Sequence, residues 1–231
     1  FSEIGKLNMN TFGLRAYYRP TQFGRLSIEY HTTNEFRRGG NKFDLEPFET
    51  DITEQTKHVI NSGGLTYDIF WKEYKHKLSF YTSAQHVDRN SYYGAQQDPN
   101  AYGKTQDLTF VGGGMYVGNF DKVLVSPATF TAGLEYSHNN MHDIMAGYNR
   151  DLEQKVRIAS AFFQNEWKVE DFTLLAGFRL DDHNLIDDLI FSPRVNALYK
   201  PSDAFQGRLT WSTGFRAPQA YPSSSFSLPF L

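Results

Sequence analysis

Apolar and polar residues alternate along much of this 231-residue chain, and this alternation limits the folds open to it. In residues 130–137, FTAGLEYS, every second side chain is apolar and those between are polar or small. A period of two places the two sets on opposite faces of a β-strand. The same pattern recurs at about residues 8–19, 24–33, 65–69, 77–80, 174–181, 194–200 and 208–212. Residues 108–117 and 156–167 add two predicted strands whose apolar face is ambiguous, so the sequence predicts an all-β fold of about ten strands.

The predicted connections alternate between short and long. Short turns are predicted at about 20–24, 71–75, 118–122, 168–171 and 201–204, and long polar loops between them at about 34–55, 88–106, 138–153 and 182–189. Bacterial outer-membrane barrels have short periplasmic turns and long extracellular loops. We therefore predict an antiparallel up-and-down transmembrane β-barrel, here a partial barrel of about ten strands in residues 1–221. Residues 222–231 form an atypical tail, predicted to be truncated or disordered, because Pro229 cannot donate to a strand ladder.

Aromatic residues support the membrane interpretation. Their share is 16%, yet the mean hydropathy is polar at −0.53, as in a barrel that is apolar outside and wet inside. They also flank the predicted short turns, in the pairs Tyr18 and Phe23, Trp71 and Tyr74, Tyr116 and Phe120, Trp167 and Phe172, and Tyr199 and Phe205. Strands of about ten residues, tilted about 45°, would span roughly 23 Å, close to the apolar band of such barrels.

Composition excludes several other classes. The chain has no cysteine, and its 23 basic and 26 acidic residues nearly cancel, so neither a disulfide framework nor a nucleic-acid partner is expected. No apolar run approaches the roughly 18 residues of a spanning helix. The sequence shows no nucleophile, base and orienter pattern, so neither an enzyme nor a cofactor is predicted. Phe1 replaces an initiator Met, which indicates a mature, processed or truncated N-terminus. A soluble β-sandwich or lipocalin-like barrel is the alternative fold.

Three segments resemble a known family. They are TAGLEY at 131–136, FQNEW at 163–167 running into LAGFRLD at 175–181, and SPRVNALYKP at 192–201 leading to GFRAP at 214–218. In this order and spacing they are similar to the barrel region of TonB-dependent outer-membrane receptors. The family-motif residues in the third segment are Ser192, Pro193, Arg194, Gly214, Phe215, Arg216, Ala217 and Pro218.

The resemblance implies a larger protein in the bacterial outer membrane. Such receptors have a barrel of about 22 strands around a plugged lumen. They import a scarce nutrient such as an iron siderophore, haem, cobalamin or an oligosaccharide, with energy delivered by the TonB complex through an N-terminal region that we do not find in this chain. The implied partners are therefore that complex, outer-membrane lipid and a small nutrient ligand. A passive diffusion channel is the alternative function, and a soluble β-rich binding protein is a third.

Candidate ligand contacts lie in the predicted long loops. Arginine and tyrosine on flexible outer loops suit an anionic or aromatic ligand. The candidates are Arg37, Arg38, Tyr92, Tyr93 and Tyr102, and the alternative is that they are ordinary interface or loop-packing groups.

Metal sites have weaker support. His138 and His142 are four residues apart, a zinc spacing on a helix, but they fall in a predicted loop where solvated side chains are the simpler interpretation. Asp182, Asp187 and Asp188, with Asp181 beside them, form an oxygen-rich cluster of the kind that binds calcium. They are weak candidates, because acidic side chains on an exposed loop are ordinarily just solvated. Paired carboxylates such as these also catalyse hydrolysis in glycosidases, which is a further alternative for this cluster. The run Gly112–Gly114 lacks a phosphate-binding spacing and is predicted to allow a strand bend or a close approach.

Overall fold

A computed structural model describes residues 5–124 and 126–215. It contains ten β-strands and two short 3₁₀ helices, Pro47–Glu49 and Ala146–Tyr148. The strands are β1 (Lys6–Thr21), β2 (Gly24–Gly40), β3 (Ile52–Trp71), β4 (His76–Ala95), β5 (Tyr102–Val123), β6 (Ser126–Met145), β7 (Arg150–Val169), β8 (Phe172–His183), β9 (Ile190–Ser202) and β10 (Phe205–Ser212).

The strands form one sheet in chain order, β1 to β10, and every neighbouring pair is antiparallel. The predicted up-and-down arrangement of about ten strands is confirmed. Within the described residues β1 and β10 each have one unpaired edge, so the sheet is an open part of a barrel.

The strand register carries the apolar face across the sheet. Leu134 on β6 lies opposite Gly114 on β5 and Ala161 on β7, while the next residue, Glu135, lies opposite Gly113 and Ser160. We call the face that includes Leu134 the outer face and the face that includes Glu135 the lumen face. Outside the irregular pairings at 18–21, 120–123 and 205–207, residue parity then assigns the side chains of the sheet to a face, including those of β5 and β7, where the sequence left the apolar face ambiguous.

The outer face is exposed and apolar. Leu134 is 67% exposed, Trp211 57% and Phe178 38%, whereas only four of the described Ala, Val, Ile, Leu, Met, Phe, Trp and Tyr residues are buried: Tyr92, Ala101, Ala128 and Met145. A soluble domain of this size would hide such side chains in a core. Lipid therefore covers this face.

Aromatic rings cluster at the turn end of the sheet, as predicted. Trp71 stacks on His76 with ring centroids 5.5 Å apart, and Phe172 stacks on Tyr199 at 4.4 Å. The Trp167 indole N–H donates to the backbone oxygen of Val123 at 3.2 Å. Amphipathic rings at this level suit a membrane interface.

The strands are longer than predicted and the loops correspondingly shorter. β3 to β7 each have 20 to 22 residues, about twice the predicted length. The loops shrink to residues 41–51, 96–101, 146–149 and 184–189. The turn predicted at 118–122 lies inside β5, which continues to Val123. Of the described residues, none belong to a helix long and apolar enough to cross a membrane. The predicted tail, 222–231, lies outside the described residues.

Candidate functional site: the lumen face

Buried and half-buried charges follow the lumen face from the turn end upward. Nearest the turns, Asp68 on β3 accepts hydrogen bonds from Arg25 on β2 at 2.6 Å and from the Ser79 hydroxyl on β4 at 2.7 Å. The Asp68 side chain is 5% exposed. A buried carboxylate needs such partners, since an unpaired one is costly to desolvate. This cluster ties three strands together.

A second cluster centres on Arg179 of β8. Its guanidinium donates to Glu135 at 2.9 Å and to Asp181 at 2.7 Å, and Asp181 also accepts from the Ser160 hydroxyl at 2.6 Å. Asp181 is buried. One cation therefore balances two carboxylates on the lumen wall.

Gly113 allows a further strand to join this cluster. Tyr81 on β4 reaches across β5 and donates from its hydroxyl to Glu135 at 2.7 Å. A Cβ at residue 113 would lie 2.7 Å from that hydroxyl and 2.6 Å from the Leu134 backbone oxygen. Only glycine fits between them, so the structure agrees with the close approach expected for the glycine run.

A third cluster surrounds Asp143 near the loop end. Asp143 is 2% exposed and accepts hydrogen bonds from Arg150 and from the Thr105 hydroxyl at 2.5 Å. Arg89 donates to the same Thr105 at 2.8 Å and lies 3.5 Å from the carboxylate of Asp143. Two arginines therefore share one buried carboxylate on the upper lumen wall.

Beside this cluster, Glu35 pairs with Arg37 at 2.7 Å and with the His58 ring at 3.3 Å. The hydrogen bond from Arg37 lowers the pKa of Glu35, so this carboxylate is ionised at neutral pH. The Arg37 side chain is 63% exposed. The Arg37 guanidinium is therefore accessible from the lumen although it pairs with Glu35.

The five predicted ligand residues do not form one group. All of them lie in strands rather than in flexible loops, which corrects the predicted loop placement. Arg37 and Tyr93 project from the lumen face, whereas Arg38, Tyr92 and Tyr102 project from the outer face.

Two of the three outer-face residues, Arg38 and Tyr92, contact the loops. Arg38 is 8% exposed and donates to the Leu45 backbone oxygen at 2.6 Å. Tyr92 is 1% exposed, meets the Tyr102 ring edge to face at 4.8 Å and donates to the Asp98 backbone oxygen at 2.9 Å. Burial raises the pKa of Tyr92, which keeps this donor protonated. Loop 41–51 therefore covers Arg38 and loop 96–101 covers Tyr92, whereas Tyr102 stays 43% exposed.

The metal candidates are not brought together. His138 and His142 lie on β6 on the outer face, where four residues span roughly 13 Å. Asp181 faces the lumen, Asp182 the outer side, and Asp187 and Asp188 lie in loop 184–189. Among residues 5–124 and 126–215, no three His, Cys, Asp or Glu side chains are grouped to hold a metal ion.

The family-motif residues divide between the two faces and the end of the described chain. Ser192 and Arg194 project from the lumen face of β9, and Pro193 lies opposite Phe178 on the outer face. Gly214 and Phe215 follow β10, and the Phe215 ring meets His183 edge to face at 6.3 Å. Arg216, Ala217 and Pro218 lie outside the described residues.

Sequence reasoning missed the charged clusters. The sequence places Glu135 and Arg179 on polar strand faces and Ser160 in a strand whose apolar face is ambiguous, and it indicates no partner for any of them. Tyr81 follows a predicted strand and was not singled out. Their position on the polar face was the available signal, but only the register shows which strands bring them into contact.

The chain was compared with known proteins. Its sequence matches the family described as "TonB dependent receptor-like, beta-barrel" over residues 4–228. No curated protein sequence matches it. Similar solved structures include the siderophore receptor PirA from Pseudomonas aeruginosa, with a TM-score of 0.74 and 15% identity over 93% of this chain and 35% of that receptor.

Two further receptors have the same fold. PirA from Acinetobacter baumannii gives a TM-score of 0.72 at 15% identity, covering 93% of this chain and 34% of the receptor. The ferripyoverdine receptor of the Pseudomonas aeruginosa outer membrane gives 0.65 at 10% identity, covering 90% and 35%. The chain thus spans about a third of the length of these receptors. With its outer face in lipid, its charged lumen face and a family match over nearly its whole length, the chain belongs to the TonB-dependent receptors of the outer membrane.

Proposed function

We propose that this chain forms part of the wall of a barrel that imports a scarce nutrient across the outer membrane. The observation that carries the proposal is the lumen face, which stays polar and charged from the turn end to the loop end while the outer face is apolar within the bilayer. A transport barrel needs a lipid-facing outer wall and a wet inner wall. The family consists of receptors and transporters, not enzymes.

Among nutrients, an iron siderophore is the first candidate, ahead of haem, cobalamin or an oligosaccharide. The solved receptors of the same fold include two named siderophore receptors and one bound to ferripyoverdine. At the loop end, Arg37 and Tyr93 would offer charge and an aromatic ring to such a ligand. Arg89 and Arg150, which share Asp143, lie on the same wall and would be further hydrogen-bond donors to an anionic ligand.

The rest of the receptor would complete the transport cycle. We infer that further strands pair with the free edges of β1 and β10 to close the barrel, since an open edge invites aggregation. We also infer that an N-terminal domain fills the lumen and contacts the TonB complex. The charged clusters of the lumen face would then lie against that domain or against water.

The test replaces Arg37 by Gln in the complete receptor that contains these strands. Lys57→Gln is the matched control, because Lys57 projects from the outer face opposite Phe36 and is exposed. If Arg37 contacts an anionic ferric siderophore, its loss should weaken binding about tenfold or more, as expected for a hydrogen bond to a charged group. Equilibrium binding and cellular uptake of the iron-labelled siderophore measure the effect.

Equal binding by the wild type and both variants would remove Arg37 from the site. The same uptake assay in cells without TonB separates the two transport mechanisms. Loss of uptake there supports the energised receptor, whereas undiminished uptake would identify a passive diffusion channel.

A further inference from the structure

We propose that three of the four described loops act as one rigid block, and that Tyr148 in this block fixes Tyr93 on the lumen wall. The loop block comprises residues 41–51, 96–101 and 146–149. Its existence does not depend on which nutrient is transported. Only its consequence for ligand contact rests on the proposed function, because that function places Tyr93 against the ligand.

The loop between β2 and β3 is hydrogen-bonded to the loop between β4 and β5. The Gln96 backbone N–H donates to the Asp51 backbone oxygen at 2.8 Å. The side-chain amide of the next residue, Gln97, donates to the Glu49 backbone oxygen at 3.5 Å. Both acceptors are backbone oxygens, so the contact joins the paths of two chain segments and does not depend on charged side chains. The two loops therefore share one hydrogen-bonded boundary.

The loop between β6 and β7 joins the block through a glycine. The Gly147 backbone N–H donates to the Asn100 backbone oxygen at 2.9 Å. The two segments are so close that a Cβ at residue 147 would lie 2.5 Å from that oxygen, a distance that only glycine avoids. Ala101, which follows Asn100, is buried. Hydrogen bonds therefore run in series across all three loops.

Tyr148 links the block to the lumen wall. Its hydroxyl donates to the Tyr93 backbone oxygen at 2.9 Å. The Tyr93 backbone N–H in turn donates to the Ala101 backbone oxygen at 3.0 Å. The block therefore holds both backbone polar groups of residue 93, while the Tyr93 side chain projects from the lumen face.

The exposure of Tyr148 shows how it acts on the wall. The residue is 62% exposed, so little of its ring packs against the loops. Stabilisation by burial follows the apolar area removed from water, and here that area is small. The hydroxyl is then the main contact between Tyr148 and residue 93. Replacing Tyr148 by Phe removes this contact and leaves the packing nearly unchanged.

The fourth loop, residues 184–189, is held separately. Asn184 anchors it to β7, because its side-chain oxygen accepts from the Arg157 backbone N–H at 2.7 Å and its amide donates to the Lys155 backbone oxygen at 2.9 Å. No hydrogen bond between described residues joins this loop to the loop block. Its amides therefore serve as a control within the same molecule.

Hydrogen exchange of the complete receptor, measured by mass spectrometry without any ligand, tests the block. Gly147→Ala should break the contact with Asn100 and speed exchange at Gln96, in a different loop, about tenfold. Gly39→Ala is the control, since a Cβ there would meet nothing within 4 Å. Loop 184–189 should exchange as in the wild type in both variants. Faster exchange confined to residues 146–149, or unchanged exchange at Gln96, would overturn the block.

The wild type decides the same question if Gly147→Ala does not fold, which heat-modified gel migration shows. Residues of one cooperative unit open together. The amides of Gln96 and Gly147 should therefore have the same opening free energy, and clearly different values would mean that the loops open independently.

A nitroxide label at residue 93 tests the role of Tyr148. Tyr93→Cys keeps the backbone oxygen that the Tyr148 hydroxyl binds, so the label reports how firmly that backbone is held. Adding Tyr148→Phe should make the label more mobile and narrow the central line of its electron paramagnetic resonance spectrum. Tyr136→Phe is the matched control, because Tyr136 is exposed on the outer face and its hydroxyl bonds no described residue. The same line shape in both variants would remove Tyr148 as a positioning residue.

Discussion

At the scale of single residues, the lumen wall depends on a few charges with several partners each. Arg179 balances Glu135 and Asp181, and Tyr81 reaches Glu135 only because residue 113 has no side chain. Pairing of this kind adds little stability over an apolar pair, but loss of one member leaves buried charge behind. Removing Arg179 should therefore cost more stability than its ion pairs contribute relative to apolar residues.

Arg179→Met should destabilise the receptor by about 2 kcal/mol, less than the 3–5 kcal/mol of a fully buried pair because the side chain is 39% exposed. Urea unfolding of the complete receptor in lipid vesicles measures the change. Arg208→Met is the control, since Arg208 is exposed on β10 and has no salt bridge within residues 5–124 and 126–215. Equal unfolding midpoints for the two variants would contradict the role of Arg179.

At the scale of the strand, moving one residue along the chain moves the side chain from the lipid-facing outer face to the lumen face. On β6, Leu134 lies on the outer face between Gly114 and Ala161, and Thr131 lies on the lumen face between Val117 and Gln164. Both residues lie in the lower half of the strand, within the apolar band. The two positions therefore differ mainly in what surrounds them, hydrocarbon or water.

Leu134→Arg should lower the free energy of unfolding by about 2–4 kcal/mol, the cost of arginine on the lipid face near the middle of a bilayer. Thr131→Arg should change it by less than about 1 kcal/mol, because the lumen can hydrate the new charge. Both values come from denaturant titrations in vesicles. Similar losses for the two variants would mean that these faces are assigned wrongly.

At the scale of the whole molecule, the sheet is taller than the membrane. Strands of about 20 residues, rising roughly 3.3 Å per residue and tilted about 45°, reach roughly 47 Å, against an apolar band of about 25 Å. The aromatic turn end lies at one interface, so the excess length extends outward. There the outer face carries polar residues such as Lys57, Asn90 and Lys104.

Nitroxide labels can locate the bilayer on this sheet, and these 231 residues contain no cysteine that would compete with a label introduced among them. A label at Leu134→Cys should be relaxed by oxygen dissolved in lipid, while one at Lys104→Cys should be relaxed by a water-soluble nickel chelate. Power-saturation electron paramagnetic resonance on the complete receptor in vesicles gives both accessibilities. Strong relaxation by the nickel chelate at Leu134→Cys would place this face in water and contradict the membrane assignment.

Local patterns in the amino acids were enough to predict the all-β class, the sequential antiparallel order, most turn positions and the two faces near the turns. These properties are local: a period of two sets the faces, and Gly, Pro and Asp residues with flanking aromatics mark the turns. The turn predicted at 118–122 was wrong because β5 continues with polar residues to Val123.

The strand lengths and side-chain contacts in the upper half of the sheet became clear only from the fold. Above the membrane both faces of a strand meet water, so the apolar alternation disappears and long strands were predicted as loops. Pairing with neighbours extends those strands, turns Arg37 to the lumen and its neighbour Arg38 beneath a loop, and buries Tyr92. The same register assembles the clusters around Arg179 and Asp143 and places His138 opposite Arg157. Contacts between residues distant in the chain depend on register, and no local pattern encodes it.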